Sequence, residues 1–211
     1  EITMKKIKDK LITIYPQLIF LIVTFCIFMP SSLFLGNIDQ FAVGFAALIP
    51  LLMAASLITA AVVILIGLIV PKKICNIYAA VIFGGALAAY VQGNFLNPDF
   101  GVLNGRQIQW SQFKVNGIIS TVVWIVLIVV PPVIVCFKKD IMTNIIKWGS
   151  LFLSSIQVVT LVVLIVSSKR SVDYSYVVTK NDEFALSSQG NVVVFIVDTL
   201  DNEDAQNYVI D

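Results

Sequence analysis

The sequence predicts an all-α polytopic membrane domain of about five transmembrane helices, followed by the first β-strand of an extracytoplasmic α/β domain that is cut short. Three observations carry this: a mean hydropathy of +0.93 with 58% hydrophobic and 13% charged residues, five long apolar runs, four without charge and the fifth with Lys147 near its start, and an abrupt change to polar composition near residue 167. An ordinary soluble domain is roughly one quarter charged. Most of this chain is therefore built for lipid.

Crossing the hydrocarbon takes about 20 apolar residues, and uncharged runs beyond about 18 are candidates. The predicted spans are 11–29, 41–70, 74–91, 118–137 and 145–166. The second is long enough to call for tilt or a kink at Pro50, and the third is short. Ahead of the first span lie Lys5, Lys6, Lys8 and Lys10. Such a basic start resembles a signal peptide, but the apolar run exceeds the usual 7 to 15 residues and no small-x-small site closes it. It reads as an uncleaved anchor, with Met4 as its natural start.

Lysines set the expected orientation, because positive residues near span ends are retained in the cytoplasm. To those four are added Lys72 and Lys73 between spans two and three, and Lys138, Lys139 and Lys147 around the turn from span four to five. The alternate loops hold only Arg106 and Lys114, although Lys169, Arg170 and Lys180 follow the last span. The amino terminus is thus expected in the cytoplasm of a plasma-membrane protein, and everything after about residue 166 outside.

None of the five cores carries Asp, Glu, Lys or Arg, the usual mark of a proton relay or solute pathway. Gln17, Thr24, Ser56, Thr59, Gln157 and Thr160 are their main polar groups, expected to bond helix to helix. Gly84, Gly85, Ala88 and Ala89 give span three two small-x-x-x-small pairs, a pattern of close helix packing. The chain has no histidine, so Ser-His-Asp and Cys-His catalysis and His-ligated metals are excluded within these residues. Cys26, Cys75 and Cys136 are three widely spaced thiols, expected to be free apolar fillers. Near-neutral net charge gives no sign of nucleic acid as a partner; the partner implied is the lipid bilayer.

Between spans three and four, residues 92–117 form an external loop whose Asn97-Pro98 and Asn104-Gly105 steps are turn chemistry. Trp110, Trp124 and Trp148 are expected to anchor at interfaces; Arg106 with Trp110 could instead form a binding surface for a lipid headgroup or for the external domain.

Residues 167–190 read as a linker leaving the membrane. Then comes Asn191-Val-Val-Val-Phe-Ile-Val-Asp198-Thr199. Six consecutive apolar residues suit a strand buried on both faces, as in parallel sheets covered by helices. Functional groups in such folds collect beyond the carboxyl ends of strands, where Asp198 stands. Two readings are open for it. Asp198 is either a hard oxygen ligand for a divalent cation, or, with Thr199, the cap of a following helix or turn. Only about 45 residues follow the last span, under the roughly 50 at the low end for a domain, so residues 191–211 are expected to be the start of a longer one.

Five spans, an external linker and a strand ending at Asp198 resemble the membrane-anchored sulfatase-like enzymes of the alkaline phosphatase superfamily, among them the lipoteichoic acid synthase-type phosphoglycerol transferases and lipid A phosphoethanolamine transferases. The resemblance implies an extracytoplasmic hydrolase or transferase acting on phosphate or sulfate esters of envelope polymers or anionic lipids. It implies a divalent metal ion (Mn, Mg, Ca or Zn) in the complete enzyme, with Asp198 as its first ligand. The sulfatase branch carries Asp at that position and the transferase branch usually Glu. The family's nucleophile and later metal ligands come from further along the outer domain, and Thr199 follows the strand too closely to be that nucleophile. By itself this stretch of chain is expected to hold no metal stably and to be inactive. The alternative is a polytopic protein without catalysis, such as an assembly factor or small-solute carrier.

Overall fold

The structure, a computed structural model, describes residues 2–38, 41, 43–98, 100 and 108–168. Among these it contains five helical rods long and apolar enough to cross a membrane: Met4–Gly36, Phe45–Ile69, Lys72–Leu96, Trp110–Phe137 and Lys139–Ser167. All five expected spans are present, as a multi-pass helical bundle. The strand expected at 191–198 lies outside the described residues.

The first rod is α1 (Ile2–Leu21), a π-helical stretch (Ile22–Phe28) and α2 (Met29–Gly36). It runs well past the expected 11–29, because the lysine-bearing start is helical too. In the π stretch the Met29 N–H bonds to the Thr24 carbonyl, five residues back. The wider turn falls immediately before Pro30, which has no N–H to give to a regular helix. A 3-10 turn, Phe45–Leu48, leads into α3 (Ile49–Ile69). Pro50 stands in the first turn of α3, where its missing N–H is one of the groups a helix start leaves unbonded anyway. The kink expected at Pro50 is therefore a helix start.

The third rod corrects the sequence more strongly. Beyond α4 (Cys75–Val91) a second π stretch, Gln92–Leu96, carries the helix into the expected loop, so the span is not short. It stops at Asn97, whose backbone is extended, the conformation that the ring of Pro98 imposes on the residue before it. A 3-10 turn at Trp110–Phe113 opens α5 (Lys114–Phe137), and only Lys138 separates α5 from α6 (Lys139–Ser167). The basic segment expected between spans four and five is thus the first turns of a helix.

Contacts fix the directions. The Lys10 ammonium donates to the Leu68 carbonyl at 2.8 Å, and Lys72 pairs with Asp9 at 2.8 Å, so the start of α1 meets the end of α3 and the entry to α4. Gln157 donates to Thr24 and Ser168 to the Leu35 carbonyl, which sets α6 parallel to the first rod. The indole of Trp124 donates to Gln92, which joins the early part of α5 to the end of the third rod. Alternation of the rods gathers Lys5, Lys6, Lys8, Lys10, Lys72, Lys73, Lys138, Lys139 and Lys147 at one end of the bundle.

Two apolar clusters hold the centre: Phe20, Ala80, Phe83, Ala86, Val135 and Ile146 in one, and Ile14, Leu18, Val63, Cys75 and Ile82 in the other. The small residues of α4 are what let the helices close. A Cβ on Gly84 would run into the Leu127 carbonyl and come 3.0 Å from the Ile128 Cα, whereas one on Gly85 would meet nothing within 4 Å. Of the two small-residue pairs, the one containing Gly84 is the seam with α5. The cysteines are free, as expected, with Cys26 and Cys75 buried and Cys136 exposed.

Candidate functional site

At the end of the bundle opposite the lysines, the two π stretches converge on one cavity of about 620 Å³. Phe28, Met29, Pro30, Ser32 and Asn37 form its wall on the first rod, Gly93, Asn94 and Asn97 on the third, and Thr160 and Leu164 on α6. In both rods a proline stands two residues past the π stretch, Pro30 and Pro98. Each proline denies the helix a donor, and each preceding turn widens. The outcome is a pair of offset turns facing one space, an arrangement frequent at functional sites.

Hydrogen bonds fix the third-rod wall of this cleft from behind. The Trp124 indole N–H donates to Gln92 Oε1 at 3.1 Å, Gln92 Nε2 donates to Asn97 Oδ1 at 3.1 Å, and Asn97 Nδ2 donates to the Gly93 carbonyl at 3.4 Å. Asn94 Nδ2 is tied to the Tyr90 carbonyl at 2.7 Å. Trp124 is half-buried within this chain, so its role is to hold the third rod's end. Trp110 and Trp148, at 66% and 64% exposure, have the exposure an interfacial ring needs.

No lining side chain is ionised. Amide and hydroxyl groups beside Phe28, Leu33 and Leu164 suit the uncharged polar part of an amphiphile, such as a glycerol or sugar, better than they suit an isolated anion. Between the first rod, the second rod and α6 lies an apolar groove of about 460 Å³, lined by Ile22, Ile27, Leu52, Met53, Leu161 and Ile165 among others. Its lining suits hydrocarbon.

Beneath the cleft a polar seam is buried. Gln157 Nε2 donates to Thr24 Oγ1 at 3.0 Å, and the Cys26 thiol meets the Thr59 hydroxyl at 3.4 Å. These are the helix-to-helix bonds expected of Thr24, Thr59 and Gln157. Ser56 and Gln17 bond within their own helices instead, Ser56 to the Leu52 carbonyl and Gln17 to the carbonyls of Thr13 and Ile14, while Thr160 faces the cleft. Ser31 Oγ, Ser150 Oγ and Gln157 Oε1 are buried without a hydrogen-bond partner among the described residues.

Asp198 and Thr199 lie outside the described residues, as does Arg106. Among the described residues no group of three His, Cys, Asp or Glu side chains is placed to hold a metal ion. The cleft itself was missed by reading the sequence. Its only outward signal is a proline just past each of two apolar runs, and a π turn leaves no composition of its own. Compared with known protein families, characterised proteins and solved structures, the chain matches none.

Proposed function

We propose that this bundle is the membrane part, and residues 191–211 the opening, of an extracytoplasmic metal-dependent hydrolase or transferase acting on phosphate or sulfate esters of envelope lipids or polymers. The observation that carries the reading is the asymmetry of charge: nine lysines at one end, charge-free helix interiors, and α6 ending at the other. By the positive-inside rule the lysine end is cytoplasmic. Residues after Ser167 then enter the outer space, where the strand ending at Asp198 opens the catalytic domain and Asp198 supplies the first ligand to a divalent ion. The cleft at that same end supports a substrate with a lipid or other amphiphilic part. The metal would supply charge neutralisation at the ester; the bundle's share is to anchor and to bind.

Topology is tested first. In a Cys136→Ser background, a membrane-impermeant maleimide added to intact cells should label Ser187→Cys and miss Asp140→Cys; labelling of Asp140→Cys sinks the orientation. Native Cys75 is no reporter, since it is buried at 3% exposure. The catalytic reading is tested by Asp198→Asn in the full-length protein, because Asn keeps most capping while removing the charge a divalent ion needs. Expression and thermal stability should hold while metal-dependent turnover of an aryl phosphate or sulfate ester is lost. Unchanged turnover would reduce Asp198 to local structure.

The alternative, a polytopic protein without catalysis such as an assembly factor or carrier, draws on the cleft too, since an anchor alone needs none. A reading frame that continues past Asp211 into a domain with a Thr or Ser nucleophile and a later His-containing metal cluster favours the enzyme. A frame that stops there favours the alternative.

A further inference from the structure

A second cleft, of about 300 Å³, opens at the lysine end between α1, α4 and α6. Its polar lining comes from Gln17, Asn76, Lys139, Thr143, Asn144 and Lys147, and no carboxylate lines it. Gln17 is 2% exposed and is held by its own helix, its amide nitrogen donating to the Thr13 and Ile14 carbonyls at 2.7 and 3.1 Å. It closes the inner wall. The side chains of Asn76, Asn144, Lys139 and Lys147 make no hydrogen bond or ion pair among the described residues, the Lys147 ammonium meeting the Trp148 ring instead. The contrast with their neighbours is informative. Lys10 is spent on the Leu68 carbonyl and Lys72 on Asp9, whereas Lys139, Lys147 and Asn144 on α6 and Asn76 on α4 keep their side-chain N–H groups free of hydrogen bonds among the described residues.

We infer that this cleft binds the phosphate group of an anionic lipid headgroup in the leaflet at the lysine end. Two ammonium groups supply charge, and the amides of Asn76 and Asn144 supply neutral donors for the remaining oxygens, a donor set that fits a tetrahedral oxyanion. Asp140, the carboxylate in the first turn of α6, is not part of the lining. The lipid source follows from the surroundings. The Lys147 ammonium sits 5.4 Å from the centroid of Trp148, a largely exposed indole of the kind that lies at headgroup depth. Ile12 and Ile146 continue the wall toward the apolar part of the bundle. Basic pockets between membrane helices near the cytoplasmic face bind such headgroups. The inference rests on the bundle crossing a membrane; it is independent of any catalysis.

The experiment uses the full chain in nanodiscs of phosphatidylcholine with a graded fraction of phosphatidylglycerol, read by native mass spectrometry of retained lipid and by thermal unfolding. Lys139→Ala/Lys147→Ala should weaken phosphatidylglycerol retention about tenfold or more. Lys5→Ala/Lys6→Ala, which removes the same charge from the same end but outside the cleft, should change it less than about threefold. Asn76→Leu keeps every charge and should also weaken retention, with helix content by circular dichroism confirming the fold. Equal losses in the two lysine pairs would mean a general surface attraction and overturn the site. Stabilisation by inorganic phosphate in pure phosphatidylcholine, matching that by phosphatidylglycerol, would overturn the lipid source.

Discussion

α4 and α3 cross the same bundle and solve opposite problems. Half of an 18-residue apolar stretch of the α4 rod is buried in this chain, against 11% in the α3 rod, although α3 is the more apolar of the two. α4 buries Ala79, Ala80, Gly84, Ala86, Ala88 and Ala89, while α3 exposes Leu51, Leu57, Ile58 and Leu65. In water the greasier helix would go inside. In lipid, tails are as apolar as leucine, so burial follows from how closely backbones can approach and from which polar groups need partners. Small residues let the backbones close at the centre of this molecule, where Phe20, Ile14 and Ile146 fill the space between them.

The largest effect expected from that difference is at Gly84. A side chain there meets the Leu127 carbonyl, and backbone cannot swing aside as a side chain would. Gly84→Leu should destabilise the bundle by about 3 kcal/mol or disrupt its assembly outright, seen as a lowered unfolding temperature and loss of a single elution peak in detergent. The neighbouring Gly85 faces open space, and Gly85→Ala should leave both unchanged. Equal sensitivity at the two glycines would break the assignment of the α4–α5 seam.

How much of this was legible follows from the same physics. Length and hydropathy reveal rods, so all five expected spans are present. Their ends were set by groups that hydropathy does not weigh: the helix through Lys5 to Lys10, the π stretch at Gln92–Leu96, and the turn at Lys138 that leaves almost no loop. Pro50 was read as a kink because sequence shows a proline inside an apolar run, not that the α-helix begins one residue earlier. The bond from Gln157 to Thr24 was foreshadowed by type but not by partner, since the residues are 133 apart. Neither cleft could be read, because each is assembled from residues of three rods far apart in sequence.

That buried bond gives the intermediate effect. Gln157 and Thr24 are both 0% exposed, yet hydrogen bonds inside membrane bundles contribute only about 0.6 to 2 kcal/mol. Gln157 Oε1 has no partner among the described residues, so replacing the whole amide removes a buried unbonded acceptor along with the bond. Gln157→Leu should therefore cost about 1 kcal/mol or less, and a double-mutant cycle with Thr24→Val should return a coupling of about 0.6 kcal/mol. On α3, Ser56 bonds only to its own Leu52 carbonyl, and Ser56→Ala should cycle with Thr24→Val to no coupling. A larger coupling for Ser56 than for Gln157 would mean that the polar seam runs along α3 instead.

The smallest effect is expected at Ile58, whose side chain is 65% exposed on α3. In a soluble protein a large apolar residue gains its stabilisation by leaving water, and truncation of a buried one costs 2 to 5 kcal/mol, part transfer and part cavity. Neither part applies to a side chain that touches lipid both in the folded bundle and in the separated helix. Ile58→Ala should then change bundle stability by less than about 0.5 kcal/mol in nanodiscs. Ile82→Ala, at a site 8% exposed on α4, still opens a cavity and should cost measurably more. Should Ile58→Ala prove as damaging as Ile82→Ala, the exposed face of α3 would be covered by protein in the membrane, and the contrast between the two helices would describe an isolated chain rather than the working assembly.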